Sequence, residues 1–438
     1  MIPMIFKEEL HMIERKLVSE DTYSASAENK KRMEELLSLE SVQQALAFIK
    51  AEQENSIQEQ IEIASVESPT FHEEKRADLL AEKYKELGLE DVLIHPEKNV
   101  VGCRKGSDGG LLLLEGHIDT VFPFGTFQSV RRENGVLYAP GIYDNARGVT
   151  NILTVLRALN HCSIKTRKNL LIAGTAREEA DGHSGGIRDL LERYRNVEAA
   201  ICVDGGHVNS ICYLATHCKT IKCVFKGKGG HSTNEFGKMA NPLSAAGRAI
   251  ALINEIRVPE FPRTTFATSK IYSCESSGIN AIPPECVLYV DFCSGDNSVF
   301  YELQDQIEHC LKEGCRLETE RWKADTISLE TEVVSEYPGG IQDVHMPLVQ
   351  AHFLAAKALK EKIFFLDFGY MNSNIPISQG LPAICYGSGM TSLGRNYNVH
   401  STKEFFPEEG AYIGAQGLLL TLLMAAGVEG SVSPCIDE

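Results

Sequence analysis

Short apolar runs alternate with helix-like patterns between about residue 61 and residue 218. The runs in LLLLEG, NLLIAGTA and AAICVDGG each lead into a polar turn that contains glycine. Between them, GVTNILTVLRALN and GGIRDLLERYR carry apolar residues at helical spacing. Strands that alternate with helices predict an α/β fold, a mixed sheet with helices on both faces.

The pattern changes between residues 219 and 332, which we predict to be a second domain inserted into the first. The order there is β-α-β-β-α-β, the split βαβ arrangement of α+β, ferredoxin-like domains. The α/β pattern returns afterwards, so the first domain would comprise residues 1–218 and 333–438. The predicted elements of the insert are TIKCVFKGKG, ANPLSAAGRAIALINEI, TTFATSKIYSC, ECVLYVDFC, NSVFYELQDQIEHCLKEG and a final strand near CRLETERW.

Both ends of the chain look helical. Residues 1–60 are rich in charge, and the first 30 or so are predicted to be an N-terminal extension without recognisable chemistry. The apolar segment 411–427 is shorter than the ~20 residues that span a bilayer and contains three glycines. We therefore expect it to be a buried C-terminal helix.

Composition and charge narrow the class of protein. The chain of 438 residues is long enough for two domains, and its net charge of −17 argues against nucleic acid or a membrane as a partner. Its 13 cysteines include no C-x-x-C pair, and the N-terminus has no secretion signal. They are typical of buried free thiols in a reducing cytosol, so a cytoplasmic location is expected.

Ionisable residues follow several of the predicted strands. His117 and Asp119 come after LLLLEG and would point to the same side of a strand. The aspartate could simply satisfy the histidine, or it could orient a metal-binding imidazole. The other groups also have ordinary explanations. Asp144 could be a helix N-cap, and Glu178 and Glu179 could be a solvated surface pair. Asp204 could be a turn residue, and His400 could be structural.

The coincidence of so many groups at successive strand ends favours one shared site, because these ends converge on one edge of an α/β sheet. Two histidines with three carboxylates, one of them bridging, would suit two divalent metal ions. The mixed nitrogen and oxygen donors favour zinc, with cobalt or manganese as alternatives.

Ordered motifs then carry a resemblance from about residue 60 to residue 425. On them the chain resembles the co-catalytic zinc metallopeptidases that include peptidase T, glutamate carboxypeptidase and acetylornithine deacetylase, especially the tripeptidase-like branch. The resemblance implies an α/β catalytic domain with an inserted lid/dimerisation domain and a homodimer. The motifs are GHIDT, YAPGIYDNARGV, AREEADG, VDGG, GKGGHSTNEFGKMANPLSAAGRAI, GINAIPPE and NSNIPISQGLPAICYG.

The same resemblance implies roles for individual residues. Glu178 would be the general base, Asp119 would fix an imidazole, and Asn280 would contact substrate. His231 would stabilise the oxyanion in the active site of the partner subunit, although it could also be an ordinary loop histidine. The metal ligands, with Asp144 bridging, would be His117, Asp144, Glu179, Asp204 and His400.

The substrate pocket departs from the family pattern. Cys293 stands in VDFCSGD where relatives commonly have an arginine, and Glu275 and Ser276 replace the usual glycines before Asn280. The stretch YMNSN, with Met371 and Asn372, replaces a common S-T-D-x-N. Arg395 could be a substitute anion binder, or a solvated loop arginine.

The resemblance therefore predicts a cytosolic two-metal exopeptidase, aminopeptidase- or tripeptidase-like, that acts on short peptides. An N-acyl amino acid deacylase that uses the same site is the alternative. A catalytically silent metal-binding or scaffold protein is a third reading, and the presence of Glu178 argues against it, since such a protein needs no general base.

Overall fold

The structure is a computed structural model that describes residues 19–273, 278–323, 327–366, 368–369, 371–389 and 397–437. Its helices are α1 (Ala27–Ser38), α2 (Glu40–Ala51), α3 (Gln53–Ala64), α4 (Glu74–Glu86), α5 (Ala146–His161), α6 (Gly185–Arg193), α7 (Pro242–Ile253), α8 (Asn297–Trp322), α9 (Pro347–Ala358), α10 (Asn374–Ser378) and α11 (Tyr412–Ala426). Two short 3₁₀ helices cover Ala180–Gly182 and Cys435–Asp437.

The strands belong to five sheets. They are β1 (Glu90–Ile94), β2 (Val100–Arg104), β3 (Leu111–His117), β4 (Arg131–Glu133), β5 (Val136–Tyr138), β6 (Asn169–Thr175), β7 (Val197–His207), β8 (Ser210–Ile211), β9 (His217–Lys226), β10 (Gly230–His231), β11 (Thr264–Ser273), β12 (Ala281–Ile282), β13 (Glu285–Ser294), β14 (Ser328–Tyr337), β15 (Phe364–Phe365), β16 (Ala383–Gly389) and β17 (Phe405–Pro407).

The described residues divide into two compact units. One spans Thr216–Gly340, and the other contains the described residues that precede and follow it in the sequence. We refer to them as the insert and the main unit. The insert is a few residues longer at each end than the predicted 219–332, because β9 begins at His217 and β14 continues to Tyr337.

The main unit is built on a six-stranded sheet in the order β1-β2-β6-β3-β7-β16. The last four strands in this order are parallel, and β2 and β1 extend the sheet in antiparallel fashion. Every residue of β3 is buried. Leu112 and Leu114 pack in one hydrophobic cluster, and Leu111 and Leu113 pack in a second one. The sheet is therefore covered on both faces, which confirms the predicted α/β class.

A small three-stranded sheet, β17-β5-β4, brings two distant segments of the main unit together. Phe405 of β17 is paired with Tyr138 of β5, and the amide of Ala139 donates to the carbonyl of Glu404 at 3.2 Å. The loop that follows β5 therefore runs beside the turn that precedes β17.

The N-terminal helices support that loop. The side-chain amide of Gln60, on α3, donates to the carbonyl of Ile142 at 2.6 Å. The buried guanidinium of Arg147 donates to the Gln60 oxygen at 3.2 Å and to the Ala411 carbonyl at 2.6 Å. Of the predicted extension, residues 1–18 lie outside the described part. Tyr23 packs against Phe353 of α9, so Tyr23 and Ala25 of this stretch belong to the core.

The apolar C-terminal segment forms α11, which is buried along almost its whole length. Among the described residues, no helix combines the length and the apolar character needed to cross a membrane. The expectation of a buried C-terminal helix is thereby confirmed.

The insert has a four-stranded antiparallel sheet in the order β11-β13-β9-β14. The order along the chain, β9-α7-β11-β13-α8-β14, is the predicted ferredoxin-like arrangement. Phe225, Leu288 and Phe292 of the sheet share a core with residues of α7 and α8, such as Ala246 and Leu303.

The predicted final strand near CRLETERW is wrong. These residues form the last turns of α8, which continues to Trp322, and the final strand is β14. The helix continues because its buried apolar residues recur every four positions, at Leu303, Ile307, Leu311 and Cys315. Glu318, which looks polar in the sequence, is buried and accepts a hydrogen bond from the Trp322 indole at 2.7 Å.

Candidate metal centre

Seven of the predicted site residues lie in the main unit, in or just beyond the carboxyl-terminal ends of its strands or in the loops beside them. His117 is the last residue of β3, and Asp204 lies in the second half of β7. Glu178 and Glu179 follow β6, Asp144 precedes α5, and His400 precedes β17. The seventh residue is Asp119, two positions after β3.

Asp144 lies between the two histidines. Its Oδ1 is 3.0 Å from Nε2 of His117, and its Oδ2 is 3.2 Å from Nε2 of His400. Each imidazole nitrogen also approaches a second carboxylate. Asp204 Oδ1 is 3.3 Å from His117 Nε2, and Glu179 Oε1 is 3.2 Å from His400 Nε2. The two oxygens of Asp144 thus face two different groups of donors.

These donors form three overlapping sets, in each of which the candidate ligand atoms lie within 4.8 Å of one another. Two of the sets share Asp144, as a carboxylate that bridges two ions would require. The third set adds Glu178. The sets are His117, Asp144 and Asp204; Asp144, Glu179 and His400; and His117, Glu178 and Glu179.

Burial makes this cluster a demanding place for negative charge. The carboxylates of Asp119, Asp144, Glu178, Glu179 and Asp204 are all buried, and they outnumber the two imidazoles. Buried charges are costly unless they are paired or bind metal. Imidazole nitrogens and carboxylate oxygens are donors that suit zinc and related divalent ions. The residues present therefore fit a pair of divalent cations.

The acid–base properties of the cluster reflect the same crowding. Burial would lower the pKa of His117, but the carboxylate of Asp204 and its neighbours raise that pKa well above its usual value. Burial also raises the pKa of Glu178 strongly, and burial together with Asp144 raises the pKa of Glu179 to about 7. A cation among these groups would oppose the effect, since positive charge favours ionised carboxylates.

Asp119 connects one histidine to the glutamate pair. Its Oδ1 is 3.5 Å from Nδ1 of His117, and its backbone carbonyl is 3.2 Å from the same nitrogen. The backbone amides of Glu178 and Glu179 donate to its two carboxylate oxygens, each at 3.0 Å. The hydroxyl of Thr70 adds a fourth contact at 2.9 Å. Asp119 therefore positions both the imidazole and the glutamates.

The two residues before Glu178 are fixed in the same manner. The amide of Ala176 donates to Oδ1 of Asn99 at 2.9 Å, and that of Arg177 donates to Oε1 of Glu73 at 3.1 Å. Arg177 adopts a left-handed conformation with φ of 57°. Four successive amides thus have buried side-chain acceptors, and the sequence alone does not single out Asn99 or Glu73.

Glu404 holds the loop that carries Asp144. Its carboxylate accepts hydrogen bonds from the amides of Gly141 at 3.1 Å, Tyr143 at 2.8 Å and Asp144 at 2.9 Å. It is fully buried, and burial together with Asp144 raises its pKa to about 8. In the sequence it follows a lysine and looks like a surface residue, which is why sequence reasoning misses it.

Asp144 is not a helix cap, which was the ordinary explanation for it. Asn145 caps α5, because its Oδ1 accepts from the amide of Gly148 at 3.1 Å. The Asn145 amide group also donates to the carbonyl of Val203 at 2.7 Å, next to Asp204. This contact ties the loop before α5 to β7.

Another unpredicted group includes Glu115, which lies two residues before His117 on β3. Oε2 of the buried Glu115 accepts from the hydroxyl of Thr175 at 2.7 Å and from the side-chain amide of Asn372 at 3.1 Å. An aspartate at position 372 would face the Glu115 carboxylate. Asn372 therefore serves as a donor to Glu115, while Met371 is held through its amide, which donates to Asn374 at 3.1 Å.

The remaining predicted residues lie elsewhere. In the insert, His231 is exposed, and its Nδ1 accepts from the amides of Thr233 at 3.2 Å and Asn234 at 3.4 Å. These contacts place the ring proton on Nε2, as an available donor. The backbone carbonyl of the exposed Asn280 accepts from Ser232 at 3.0 Å. Arg395, Glu275 and Ser276 lie outside the described residues.

The fold has counterparts among known proteins. A tripeptidase from Staphylococcus aureus subsp. aureus Mu50 is 20% identical with a TM-score of 0.71, and covers 85% of this chain and 98% of its own. Aminopeptidase PepT from Bacillus cereus ATCC 10987 is 18% identical with a TM-score of 0.69, and covers 84% of this chain and 97% of its own.

Sequence comparison adds a shorter match. A Pyrococcus abyssi protein named as a LysW-lysine/LysW-ornithine hydrolase is 36% identical over 129 residues. The match covers 30% of this chain, which spans about a third, 34%, of that relative's length. The family model described as Peptidase family M20/M25/M40 matches residues 113–424, well over half of the chain and including the whole metal centre. The chain therefore belongs to peptidase family M20/M25/M40.

Proposed function

We propose that this protein is a two-metal-ion hydrolase of amide bonds, which acts as an exopeptidase on short peptides. The observation that carries the proposal is the position of Asp144, whose two oxygens face two separate donor sets. His117 and Asp204 would hold one ion, and Glu179 and His400 would hold the other. Two divalent ions in such a site, when bound, polarise a carbonyl and make a water molecule more acidic. Zinc is the proposed metal.

Glu178 is the proposed general base. It accepts a proton from the attacking water and delivers that proton to the departing amine, a role typically worth 10²–10⁴-fold in rate. Glu178 is buried, and its carboxylate lies within 4.8 Å of the donor atoms of His117 and Glu179. This position supports the assignment, because it lies beside the ions that these two residues would hold. Asp119 acts as a positioning residue, because it holds the amides of both glutamates.

His231 is the proposed donor to the carbonyl oxygen as negative charge develops there. Its Nδ1 is occupied by two backbone amides, which leaves the Nε2 proton for this role. By resemblance, His231 would serve the site of the partner subunit in a homodimer. Asn280 and Arg395 remain proposed substrate contacts. A cytoplasmic location is part of the proposal and fits the twelve described cysteines, which are present as thiols.

A deacylase is the second candidate function. It is favoured by the match to a relative named as a hydrolase of LysW-lysine and LysW-ornithine, which is 36% identical over 129 residues. The same donor cluster and the same base would serve both reactions, because each cleaves an amide bond. The peptide reaction is preferred because the tripeptidase and aminopeptidase structures match with TM-scores of 0.71 and 0.69, against 0.61 for an amidase of the hydantoinase/carbamoylase family.

The metal content is the first prediction. Purified protein should hold about two divalent ions per chain, and removal by a chelator should abolish activity that zinc, cobalt or manganese restores. Asp144→Asn should lower metal content as measured by elemental analysis, because both donor sets share Asp144. Asp21→Asn, the same change at an exposed carboxylate, is the control. Full activity in metal-free protein would refute the proposal.

The glutamate pair should separate catalysis from metal binding. Glu178→Gln should lower kcat by at least ~10²-fold while metal content stays near that of the wild type. Glu179→Gln should weaken metal binding itself, because it removes a charged ligand beside His400. Steady-state kinetics and elemental analysis of both variants provide the measurement. The opposite pattern would mean that the two roles are exchanged.

Substrate polarity distinguishes the two candidate functions. With Asp204 in its position, resemblance to aminopeptidases and dipeptidases leads us to expect that a free substrate amino group is required. Di- and tripeptides should be cleaved at least ~10-fold faster, in kcat/KM, than their N-acetylated forms. A panel of matched free and acetylated peptides gives the comparison. Cleavage of N-acylated substrates alone would favour the deacylase.

Complementation tests the contribution of His231 across subunits. Glu178→Ala and His231→Ala homodimers should both be nearly inactive. In a co-expressed mixture, random pairing makes half of the dimers mixed, each with one intact site, so about a quarter of wild-type activity should return. A mixture that stays inactive despite heterodimers seen by native mass spectrometry would place His231 in its own subunit's site or outside the mechanism. A monomeric protein would refute the dimer.

A further inference from the structure

Two cysteines face each other across neighbouring strands of the insert. Cys218 on β9 is the register partner of Cys293 on β13. Directly opposed residues of antiparallel strands have Cα atoms about 4.5–5.5 Å apart. This separation lies within the range of about 4.4–6.8 Å that a disulfide spans. The backbone therefore has the spacing of a disulfide, although both residues are free thiols.

The two side chains share one face of the sheet and are in contact. The thiols of Cys218 and Cys293 interact through a hydrogen bond, which together with burial raises the pKa of the Cys218 thiol well above its usual value. On the next rung of the same face, the hydroxyl of Thr220 donates to Asp291 at 2.7 Å, so side chains of β9 and β13 meet regularly here. Phe292 stacks on Phe300 of α8, which places Cys293 on the opposite face from the helices.

Access to the two thiols differs. Cys218 is buried, with 7% of its surface exposed, and it lies on a central strand between Cys293 and Tyr337 of β14. Cys293 is partly exposed. A small reagent can thus reach Cys293 more readily than Cys218, whose thiol contacts that of Cys293. We call these two residues the dithiol pair.

We propose that the dithiol pair is a reversible modification site whose reagent is a low-molecular-weight disulfide such as oxidised glutathione. The Cys293 thiolate attacks one sulfur of the reagent, which breaks its S–S bond and releases one glutathione thiolate. The Cys218 thiol then gives its proton to the released glutathione thiolate as its sulfur attacks the Cys293 sulfur. This forms the intramolecular S–S bond and releases the second glutathione. The two thiol protons pass to the two glutathiones, so two protein thiols are oxidised and one glutathione disulfide is reduced.

Other cysteines of the described residues lack this combination of access and partner. Cys103 is partly exposed, but its strand partners are Glu90 and Leu171. Cys202 and Cys385 are register partners on β7 and β16, but both are buried in the main sheet. A partly exposed cysteine without a thiol partner, such as Cys103, would stop at a glutathione adduct. A buried pair, such as Cys202 and Cys385, would not react with glutathione.

Oxidation of the dithiol pair would join the two central strands of the insert. The closed loop contains roughly 75 residues, and a cross-link of that span removes much entropy from the unfolded chain. The insert should therefore open less often, and amide hydrogen exchange in β9 and β13 should slow by at least ~10-fold. Dithiothreitol should reverse the change.

The test uses full-length reduced protein equilibrated with mixtures of reduced and oxidised glutathione. After free thiols are alkylated, peptides are mapped by mass spectrometry without reduction. We expect a Cys218–Cys293 linked peptide that has lost two hydrogen atoms and whose yield rises with the oxidised fraction. A wild-type protein in which Cys293 carries glutathione while Cys218 is alkylated would overturn the proposal, and this outcome needs no variant.

Variants separate the two steps. Cys218→Ser should accumulate the glutathione adduct on Cys293, and Cys293→Ser should leave Cys218 as a free thiol. Cys223→Ser is the matched control, because Cys223 is a buried cysteine of the same strand that lies opposite Leu288. That variant should form the linked peptide as the wild type does. Oxidation of Cys218 in the Cys293→Ser protein would show that Cys218 is reached directly and would contradict the proposed order.

Discussion

Negative charge crowded into a buried space is the constraint on which the main unit depends. Five carboxylates share this space with the imidazole of His117, and the more exposed His400 lies beside Asp144. Each carboxylate removed from water needs a donor or a cation. Asp119 accepts hydrogen bonds from backbone amides and thereby fixes the loop that carries Glu178. Glu404, a further buried carboxylate, does the same for the loop that carries Asp144. The remaining donors fit divalent ions. The charge that makes the cluster costly is therefore also what makes it selective for cations.

Much of the fold and of the donor set follows from the sequence, because both depend on local signals. Apolar runs that end in glycine turns mark β3, β6 and β7, and polar residues after such runs are easy to find. Glu73, Asn99 and Glu404 escape the same reasoning because their contacts are distant in sequence, as in the hydrogen bond from Arg177 to Glu73. The end of α8 was missed for a different reason, since its polar residues conceal a regular buried stripe.

Asn372, one of the residues that depart from the family pattern, is in contact with the buried Glu115. Asn372 departs from a common aspartate, and in isolation it suggests a lost function. In the structure its amide donates to Glu115, a buried carboxylate two residues before His117. The Asn372 amide thus satisfies a buried carboxylate of β3, whose pKa burial raises to about 7. Substrate preference inferred from position 372 alone would overlook this contact.

The two halves of the centre would mature at different times during synthesis of the chain. The acceptors that fix the Glu178 loop, Glu73, Asn99 and Asp119, all precede it, so they have left the ribosome before it emerges. The loop of Asp144 instead depends on Glu404, which is synthesised more than half the chain length later. A nascent protein can therefore order its glutamate loop early, yet it cannot fix the loop of Asp144 until translation is nearly complete.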